Sequence, residues 1–477
     1  MKKRLLCVCL ALSILSYNSI TATCEPVEEE TVTVETAANA TIDTNEIPNW
    51  PTGPELNAEA AILLEANTGV ILYAKNIHEH LYPASTTKMV TALLAAENCK
   101  MDEMVNFSYD SVFSLEAGSS NMGIDPGQAL TMEQCLYGLM VASANEVANA
   151  IGEHVGGSMD GFVDMMNKKV DYLGLKDTHF TNTNGLFNEE HYTSAYDLAL
   201  IAKEFFKNEY LAKIGNTASY HFTPTDNQPD DFYVRNKHKL INGDIPYTGI
   251  KGGKTGYTSE AGETLVTCAE QNGMMLICVI LKEESPNQFY DTVKLFDYGF
   301  SNFVVTNVAE NENKFSIKSS NFFPTTIDIL GNSKQILELD ENNNIIMPKN
   351  ITFDEIETSL EYKTDSPEDV AYIEYSYHGA YLGFGSVKKL ENKQETSAFG
   401  VDGAVMEEEP VEEVVEKVEP VFINVLDIAD KVLFVAIILI VITTIISVFT
   451  NYNLLDNMKR RRTSRPKRRK EKDKLKF

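Results

Sequence analysis

The sequence predicts an α+β domain, followed by a small all-β domain and a single C-terminal transmembrane helix. Strand-like runs lie near both ends of residues 56–303, with helical stretches between them. The terminal strands are therefore expected to share one antiparallel sheet that is flanked by helices. Short alternating runs follow in residues 304–392, and an uncharged apolar run lies near the C-terminus.

Length and composition agree with this organisation. The chain has 477 residues, enough for two or three domains, and its 43% hydrophobic content fits a packed core. The formal net charge is -28 although residues 459–476 are strongly basic, so the remainder is more acidic still. An acidic body argues against nucleic acid as a partner.

The first part of the chain precedes the predicted fold. Residues 1–23 predict a signal peptide, with a basic start at Lys2–Arg4, an apolar run over Leu5–Leu15 and small residues around Ala22 for cleavage. A permanent N-terminal anchor is the alternative, but the apolar run is short for a membrane span. Residues 24–55 are rich in Glu, Thr, Ala and Pro without hydrophobic periodicity, which indicates a disordered acidic spacer.

Residues 56–303 are expected to begin with a hairpin. Strand-like runs at Ala61–Glu65 and Val70–Tyr73 surround the turn Asn67–Gly69 and lead into a helix that opens at Ser85. Further helices are predicted over Thr131–Ala142, Glu146–Val155 and Asp197–Phe206. Further strands are predicted over Lys254–Thr258, Glu263–Ala269 and Met274–Leu281.

The C-terminal part is predicted to reach a membrane. Residues 393–430 are acidic and of low complexity, which indicates a linker. Within residues 431–451, the run Val432–Thr450 carries no charge and, at about 1.5 Å per residue, just spans a bilayer core of roughly 30 Å. A buried soluble helix is the alternative. The basic tail, residues 452–477, would stay cytoplasmic and place the body on the extracytoplasmic face of the cell membrane, as a single-pass protein.

The cysteines indicate neither a zinc site nor a disulfide within the strand region. None of the seven has C-x-x-C spacing, so no metal is expected. Cys268 and Cys278 flank Asn272-Gly273, a hairpin signal that would place position 268 opposite position 277. The two cysteines would then lie on opposite faces of the sheet.

A serine and a lysine near the start of the predicted domain suggest nucleophilic catalysis. Ser85 and Lys88 are three residues apart and share one face of the predicted helix. Where burial and neighbouring cations lower the pKa of the lysine, its neutral amine can take the serine's proton. The same pattern recurs at Ser386, in a strand-like run, and at Ser464, in a basic tail with proline, but only the copy at Ser85 has a helical context.

Two further motifs follow in the chain. Ser143 and Asn145 lie at a break between two predicted helices, where a hydroxyl and an amide can point into one cleft. Ser-x-Asn alone is a weak signal, because loops favour these residues. Lys254, Thr255 and Gly256 lie on a predicted strand, where they would supply a fixed positive charge, a hydroxyl donor and room for a substrate backbone.

In this order, the three motifs resemble the signature of active-site-serine penicillin-interacting enzymes. Over about Leu56–Leu390 the chain resembles low-molecular-weight penicillin-binding proteins, the serine-type D-alanyl-D-alanine carboxypeptidases. The segments that carry the resemblance are Ala60–Gly69, Leu81–Lys88, Gly118–Ser120, Asn184–Leu186, Tyr196–Ala199 and Gly253–Thr258. The resemblance implies a penicillin-binding/β-lactamase-like transpeptidase domain.

The resemblance also implies a reaction on peptidoglycan stem peptides that end in D-Ala-D-Ala. Ser85 would attack the carbonyl between the two D-alanines and form an acyl-enzyme. Lys88 would accept the serine's proton, and Ser143 would relay a proton to the leaving amine. β-Lactams would acylate Ser85 as mimics of the same dipeptide, and neither a metal nor a cofactor is required.

The remaining motif residues would hold the substrate. Asn145 would bind its backbone, and Gly256 would let that backbone approach. Lys254 and Thr255 would bind the terminal carboxylate, and Lys254 would also help to keep Lys88 neutral through like-charge repulsion. The backbone N–H groups of Ser85 and Tyr257 would form the oxyanion hole.

Two other functions remain open at this point. A β-lactamase shares the three motifs, but the middle motif here is Ser-Ala-Asn, and the sequence has no Glu-x-x-Leu-Asn stretch to supply a deacylating glutamate. A second β domain and a membrane anchor are also not expected of a β-lactamase. The non-enzymatic alternative is a wall-binding protein with a vestigial site.

Overall fold

The computed structural model describes residues 44–312, 337–362 and 369–389. The predicted signal peptide, the linker 393–430, the segment 431–451 and the basic tail lie outside these residues. Within the described ranges, every helix is too short or too polar to cross a bilayer.

Strands lie towards both ends of the described chain, and most of the helices lie between them. The α-helices are α1 (Lys88–Asn98), α2 (Tyr109–Phe113), α3 (Met132–Tyr137), α4 (Asn145–Gly156), α5 (Met159–Tyr172), α6 (Ala195–Lys207), α7 (Glu209–Gly215), α8 (Asn287–Asn302) and α9 (Val308–Asn311). The strands up to residue 283 are β1 (Ala60–Glu65), β2 (Ile71–Lys75), β3 (Met104–Asn106), β4 (Ala129–Thr131), β5 (Ser219–Phe222), β6 (Phe232–Arg235), β7 (Ile250–Thr258), β8 (Gly262–Gln271) and β9 (Met274–Glu283). The strands beyond it are β10 (Phe303–Asn307), β11 (Leu337–Leu339), β12 (Asn344–Pro348), β13 (Glu357–Glu361), β14 (Asp369–Tyr377) and β15 (Ala380–Lys389).

The main sheet joins the first and the last strands of the predicted domain. Its five strands run in the order β2-β1-β9-β8-β7, and every neighbouring pair is antiparallel. The expectation that the terminal strands share one sheet is confirmed, since β1 pairs with β9. This arrangement is the α+β fold with antiparallel sheet and helices that the sequence predicted.

The alternation of side chains along β1 and β9 divides the core into two layers. Ile62 and Val279 face a layer that contains α1, α4 and α6, whereas Leu63 and Ile280 face a layer that contains α8. Since successive side chains of a strand point to opposite faces, one sheet can bury both layers. The three motifs singled out in the sequence belong to the first layer and to the adjoining edge strand β7.

The predicted cysteine geometry is confirmed. Cys268 is paired with Ile277 across the hairpin, as expected from the turn at Asn272-Gly273. Cys268 therefore packs into the layer with α1, and Cys278 packs into the layer with α8. Both are free thiols.

The strands beyond residue 303 form a four-stranded antiparallel sheet in the order β11-β15-β14-β13 and a separate pair, β10 and β12. The β character predicted for this region agrees with these strands. The separate small domain stays a prediction, and Ile345 and Tyr375 belong to the same hydrophobic cluster as Phe296 of α8. A continuous apolar core ties these strands to the main sheet.

Residues 44–55 were predicted to be spacer, and this part of the prediction is wrong. Thr44–Glu46 form a 3-10 turn, and Thr44 Oγ1 accepts a hydrogen bond from the Ala74 N–H at 3.3 Å. The Trp50 ring is buried against Phe303, with centroids 5.3 Å apart, and its indole N–H donates to Leu72 O at 3.1 Å. Burial of one large aromatic ring outweighs the polar composition of the segment.

Candidate active site

Ser85 lies on a tight turn at the entrance to α1. The sequence predicted that Ser85 opens the helix, but Ala84–Thr87 form a 3-10 turn, and α1 itself begins at Lys88. With three residues per turn, positions i and i+3 of a 3-10 turn lie one above the other. The Lys88 Nζ atom consequently lies 2.8 Å from Ser85 Oγ.

Lys88 is fully buried and has three hydrogen-bonding partners. Besides Ser85 Oγ, its Nζ donates to Asn145 Oδ1 at 2.7 Å and to the Asn184 carbonyl at 2.6 Å. Both of those oxygens can only accept, so a neutral amine would spend its two hydrogens on them. Its lone pair would then face the Ser85 hydroxyl, the orientation that a general base requires.

Electrostatics favour the neutral amine. Burial is the largest effect and lowers the pKa of Lys88 well below its usual value, and the positive charges of Lys254 and Lys237 lower it further. The predicted repulsion between Lys254 and Lys88 is therefore present. Glu146 acts in the opposite sense and raises the pKa of Lys88.

Glu146 is a buried carboxylate at the start of α4. Its Oε1 accepts hydrogen bonds from the backbone N–H groups of Met122 at 2.6 Å and Gly123 at 3.2 Å. Burial nevertheless raises the pKa of Glu146. This side chain fixes the loop that carries residues 118–123 on the first turn of α4, and it partly offsets the positive charge of the site.

Ser143 has an unusual backbone conformation, which the surrounding structure keeps in place. It has a left-handed conformation with φ 59° at the end of the π-helical turn Gly138–Ala142, directly before α4. A serine rarely adopts this conformation without a structural reason. Its Oγ accepts a hydrogen bond from Lys254 Nζ at 2.9 Å, which links the second motif to the third.

Lys254 is buried on the edge strand β7. Besides Ser143 Oγ, its Nζ bonds the carbonyl of Thr255 at 2.7 Å. Burial lowers the pKa of Lys254 to about 7, and the nearby charge of Lys237 contributes to the same shift. Lys254 is therefore a cation that can be neutralised within the neutral pH range.

Gly256 lets β7 lie directly against the turn of Ser85. A Cβ atom at this position would be 2.8 Å from the Ser85 backbone nitrogen and 2.3 Å from Thr264 Oγ1. Any larger residue would push the strand and the nucleophile apart. The next residue, Tyr257, is 65% exposed.

The motif residues surround a cleft of about 660 Å³. Ser85, Ser143, Asn145, Thr255, Gly256 and Tyr257 line it directly. Lys88 and Lys254 lie beneath its floor, in contact with Ser85 and Ser143. The structure thus brings all eight predicted residues together, from three separate segments of the chain.

The second Ser-x-x-Lys copy lies elsewhere. Ser386 is on β15, as the alternating pattern predicted, and its Oγ accepts a hydrogen bond from Asn343 Nδ2 at 2.7 Å. The third copy, at Ser464, lies outside the described residues.

Sequence reasoning missed Lys237 and Glu146 as contributors to the site, and it assigned no role to Asn184 within the segment Asn184–Leu186. Lys237 donates from Nζ to Ser120 Oγ at 2.8 Å and lowers the pKa of both active-site lysines. Glu146 carries no motif. The Asn184 carbonyl holds Lys88, and the signal for it was the adjacent Gly185, whose φ is 85°.

Gly185 fixes the Asn184 carbonyl against the nucleophile turn. A Cβ at Gly185 would lie only 1.8 Å from the Ala84 carbonyl oxygen, directly before Ser85. The Asn182 side chain caps this loop, since its Oδ1 accepts from the Gly185 N–H at 2.7 Å. The loop and the turn of Ser85 are therefore packed backbone against backbone.

The chain is similar to known proteins over its first part. Residues 47–285 match the family model described as D-alanyl-D-alanine carboxypeptidase, peptidase family S11. The chain is 38% identical over 252 residues to D-alanyl-D-alanine carboxypeptidase DacF of Bacillus subtilis, which covers 52% of this chain and 63% of that protein. It is 32% identical over 262 residues to DacA of Haemophilus influenzae, covering 53% of this chain and 64% of that protein.

A solved structure extends the likeness to the fold. Penicillin-binding protein 5 from Haemophilus influenzae is similar with a TM-score of 0.57 and 25% sequence identity, over 71% of this chain and 98% of the other. The two curated relatives are matched over less than two thirds of their own length. The structural match reaches further than either sequence match, so it includes strands beyond residue 303.

Proposed function

This chain belongs to the D-alanyl-D-alanine carboxypeptidase family of serine peptidases, and from that premise we propose that it removes the terminal D-alanine from peptidoglycan stem pentapeptides. The observation that carries the proposal is the contact of 2.8 Å between Lys88 Nζ and Ser85 Oγ, with the amine buried and its pKa lowered. A neutral amine beside an alcohol is the requirement for a serine nucleophile without histidine.

The acylation step follows from these positions. Ser85 Oγ attacks the carbonyl carbon between the two D-alanines, while its proton passes to Lys88 Nζ. The tetrahedral intermediate collapses when the C–N bond breaks and the leaving nitrogen takes up a proton through Ser143. D-Alanine departs, and the rest of the stem peptide stays bound to Ser85 as an ester, which water then hydrolyses.

Charge placement supports recognition of a substrate with a free C-terminus. Lys254 and Thr255 bind the terminal carboxylate in this scheme, and Asn145 binds the peptide backbone. The backbone N–H groups of Ser85 and Tyr257 form the oxyanion hole, a contribution of roughly 3 kcal/mol per donor in comparable sites. β-Lactams acylate the same serine, because their strained amide and carboxylate occupy the same positions.

We further propose that the enzyme works on the extracytoplasmic face of the cell membrane. The support comes from the sequence alone: the uncharged run Val432–Thr450 followed by the basic cluster Lys459–Arg462. Attachment through such a segment would keep the catalytic domain close to the membrane side of the peptidoglycan.

The test is mass spectrometry of the purified protein with pentapeptide and with penicillin. The unmodified protein should release D-alanine and gain the mass of one penicillin on the peptide that contains Ser85. The Ser85→Ala variant should do neither, and Lys88→Ala should acylate at least about a hundredfold more slowly, since general base catalysis contributes roughly 10² to 10⁴.

The matched control is Ser259→Ala, an exposed serine that also lines the cleft. It should keep both activities. Release of D-alanine by Ser85→Ala would end the proposed mechanism. A penicillin adduct that turns over within seconds would instead favour a β-lactamase, and absence of both adduct and release in the unmodified protein would favour a vestigial wall-binding site.

A further inference from the structure

Two helices of the active site end at one cluster of three side chains of the types that can bind a metal ion. Lys88 is the first residue of α1, and Cys99 directly follows its last residue. Asn145 is the first residue of α4, and His154 lies in its last turn. At 1.5 Å per residue, the cluster is on the order of 15 Å from the nucleophile, so it is separate from the cleft.

The third member is Glu103, in the connection between α1 and β3. One ligand atom from each of Cys99, Glu103 and His154 can be chosen so that all three lie within 4.8 Å of one another. His154 Nε2 and Glu103 Oε2 are already 3.2 Å apart. In a tetrahedral zinc site with bonds of about 2.0–2.3 Å, ligand atoms are roughly 3.3–3.8 Å apart, so the cluster needs only a small closure.

The backbone holds these donors in place before any ion arrives. The Cys99 N–H donates to Ala95 O at 3.0 Å and so fixes the end of α1. Glu103 Oε1 accepts from the Lys100 N–H at 2.9 Å, and the Glu103 N–H donates to Lys100 O at 3.2 Å. One carboxylate oxygen is thus tied to the backbone and the other is turned toward His154, the kind of outer support that metal ligands use.

The surroundings favour a cation. Both α1 and α4 present their C-terminal ends here, where the helix dipoles are negative. Thiolate, imidazole and carboxylate together suit zinc better than magnesium or calcium, which prefer oxygen ligands alone. The cluster is half-exposed, so an ion and a water molecule can reach it.

We propose that Cys99, Glu103 and His154 bind one Zn²⁺ ion, with solvent water as the fourth ligand. On binding, the Cys99 sulfur exchanges its proton, which passes to solvent, for the metal bond. The ion would clamp the far ends of the two helices whose first residues are Lys88 and Asn145. Its role is structural, because it touches neither the cleft nor the reacting atoms.

The sequence could not suggest this site. Its cysteines lack the C-x-x-C spacing of common zinc motifs, and His154 is separated from Glu103 by 51 positions. Only the packing of α4 beside α1 brings the three donors together.

The experiment is a titration of the reduced, metal-free full chain with Zn²⁺ and, separately, with Co²⁺. We expect one equivalent of Zn²⁺ to bind and, at a hundredfold excess over the dissociation constant, to raise the thermal midpoint by roughly 3–5 °C. Co²⁺ should give a thiolate-to-metal charge-transfer absorption in the near ultraviolet, which reports the Cys99 bond directly.

Three variants locate the site. Cys99→Ser should abolish the cobalt absorption, and His154→Gln should weaken Zn²⁺ binding at least tenfold. The control is Asp102→Asn, next to Glu103, which should bind Zn²⁺ as the unmodified protein does. Circular dichroism of the metal-free variants checks folding, and the half-exposed His154 provides a test if Cys99→Ser does not fold. Failure of the unmodified chain to bind Zn²⁺ at micromolar concentration, or unchanged binding by a folded Cys99→Ser or His154→Gln protein, would overturn the proposal.

Discussion

Replacing Lys254 with methionine should stabilise the protein below pH 7 while it impairs catalysis. Methionine keeps most of the unbranched stem of lysine but carries no charge. In the folded protein burial lowers the pKa of Lys254 to about 7, whereas the usual value is 10.5. Folding therefore has to accommodate a cation that the site disfavours whenever the pH is below about 7.

The size of the effect follows from the pKa difference. A shift of about 3.5 pKa units corresponds to about 5 kcal/mol, because one unit is worth about 1.4 kcal/mol. The two hydrogen bonds to Ser143 Oγ and Thr255 O are lost in the variant, which costs about 1–3 kcal/mol. The net gain at pH 6 should thus be roughly 2–4 kcal/mol.

The pH dependence has a definite sign. The unfolded chain keeps the Lys254 proton up to pH 10.5, but the folded chain releases it near pH 7. Between these values the unfolded state binds more protons, so the stability of the unmodified protein rises with pH. The electrostatic part of the advantage of Lys254→Met should be complete below pH 7 and vanish by about pH 10.5, where the lost hydrogen bonds should leave the variant less stable than the unmodified protein. Removal of the repulsion on Lys88 adds in the same direction.

Urea unfolding at pH 6, 8 and 10 measures this difference, with the fluorescence of Trp50, the single tryptophan, as the probe. Most other titratable groups behave alike in the unmodified protein and in Lys254→Met, so their contributions cancel when the two free energies of unfolding are subtracted. Lys251→Met, an exposed lysine on the same strand, is the control and should show a change that is small at every pH. A free-energy difference for Lys254→Met that is constant from pH 6 to pH 10 would refute the depressed pKa of Lys254.

Two further predictions concern substrate recognition and the nucleophile turn. For a pentapeptide with a free carboxylate, kcat/KM should fall as the pH rises through about 7, because Lys254 loses its charge. A C-terminally amidated peptide should be cleaved poorly at every pH, and its kcat/KM should not fall in this range. A parallel fall for both peptides would contradict carboxylate binding by Lys254. Gly185→Ala should slow penicillin acylation at least tenfold and lower the free energy of unfolding by more than about 3 kcal/mol, because its Cβ would collide with the Ala84 carbonyl at 1.8 Å. The matched control is Gly174→Ala, because Gly174 also has a positive φ but lies in open space. This substitution should lower the free energy of unfolding by only about 1 kcal/mol. Equal effects of the two substitutions on unfolding would show that the contact with Ala84 is unimportant.

The main sheet could be predicted because its signals are local. The apolar run of β1 predicted a strand, and the turn at Asn272-Gly273 predicted the register of β8 with β9. The opposite facing of Cys268 and Cys278 followed from the same turn. Helix α4 was expected from its apolar spacing. In each case the hydrophobic pattern or the turn residues that predict the element lie within the element or next to it in the sequence.

Other elements were missed although part of their signal was present. Helix α5 has Ser158 as its N-cap and buries Phe162, Met166 and Val170 at intervals of four, but Gly161 in its first turn weakens the pattern. Helix α8 begins after Pro286 without a side-chain cap and is recognised mainly by its packing on the sheet. Its formation depends on tertiary contacts more than on local preference.

The same division applies to the site. The eight motif residues were found because their order and spacing are specific. Lys237 and Glu146 act on Lys88 through space, and neither belongs to a motif. Charge effects of this kind depend on distances between segments far apart in sequence, so they become visible only when the chain is folded.

The burial of Trp50 sets a practical limit on how far the chain can be shortened. A protein that started at residue 56, where the recognisable motifs begin, would lose the ring that packs on Phe303 and the 3-10 turn that binds the edge of β2. Removal of a buried tryptophan costs roughly 3–5 kcal/mol, a large share of the stability of an ordinary domain. A shortened protein should therefore still begin before Thr44, so that it keeps both the turn and the buried ring.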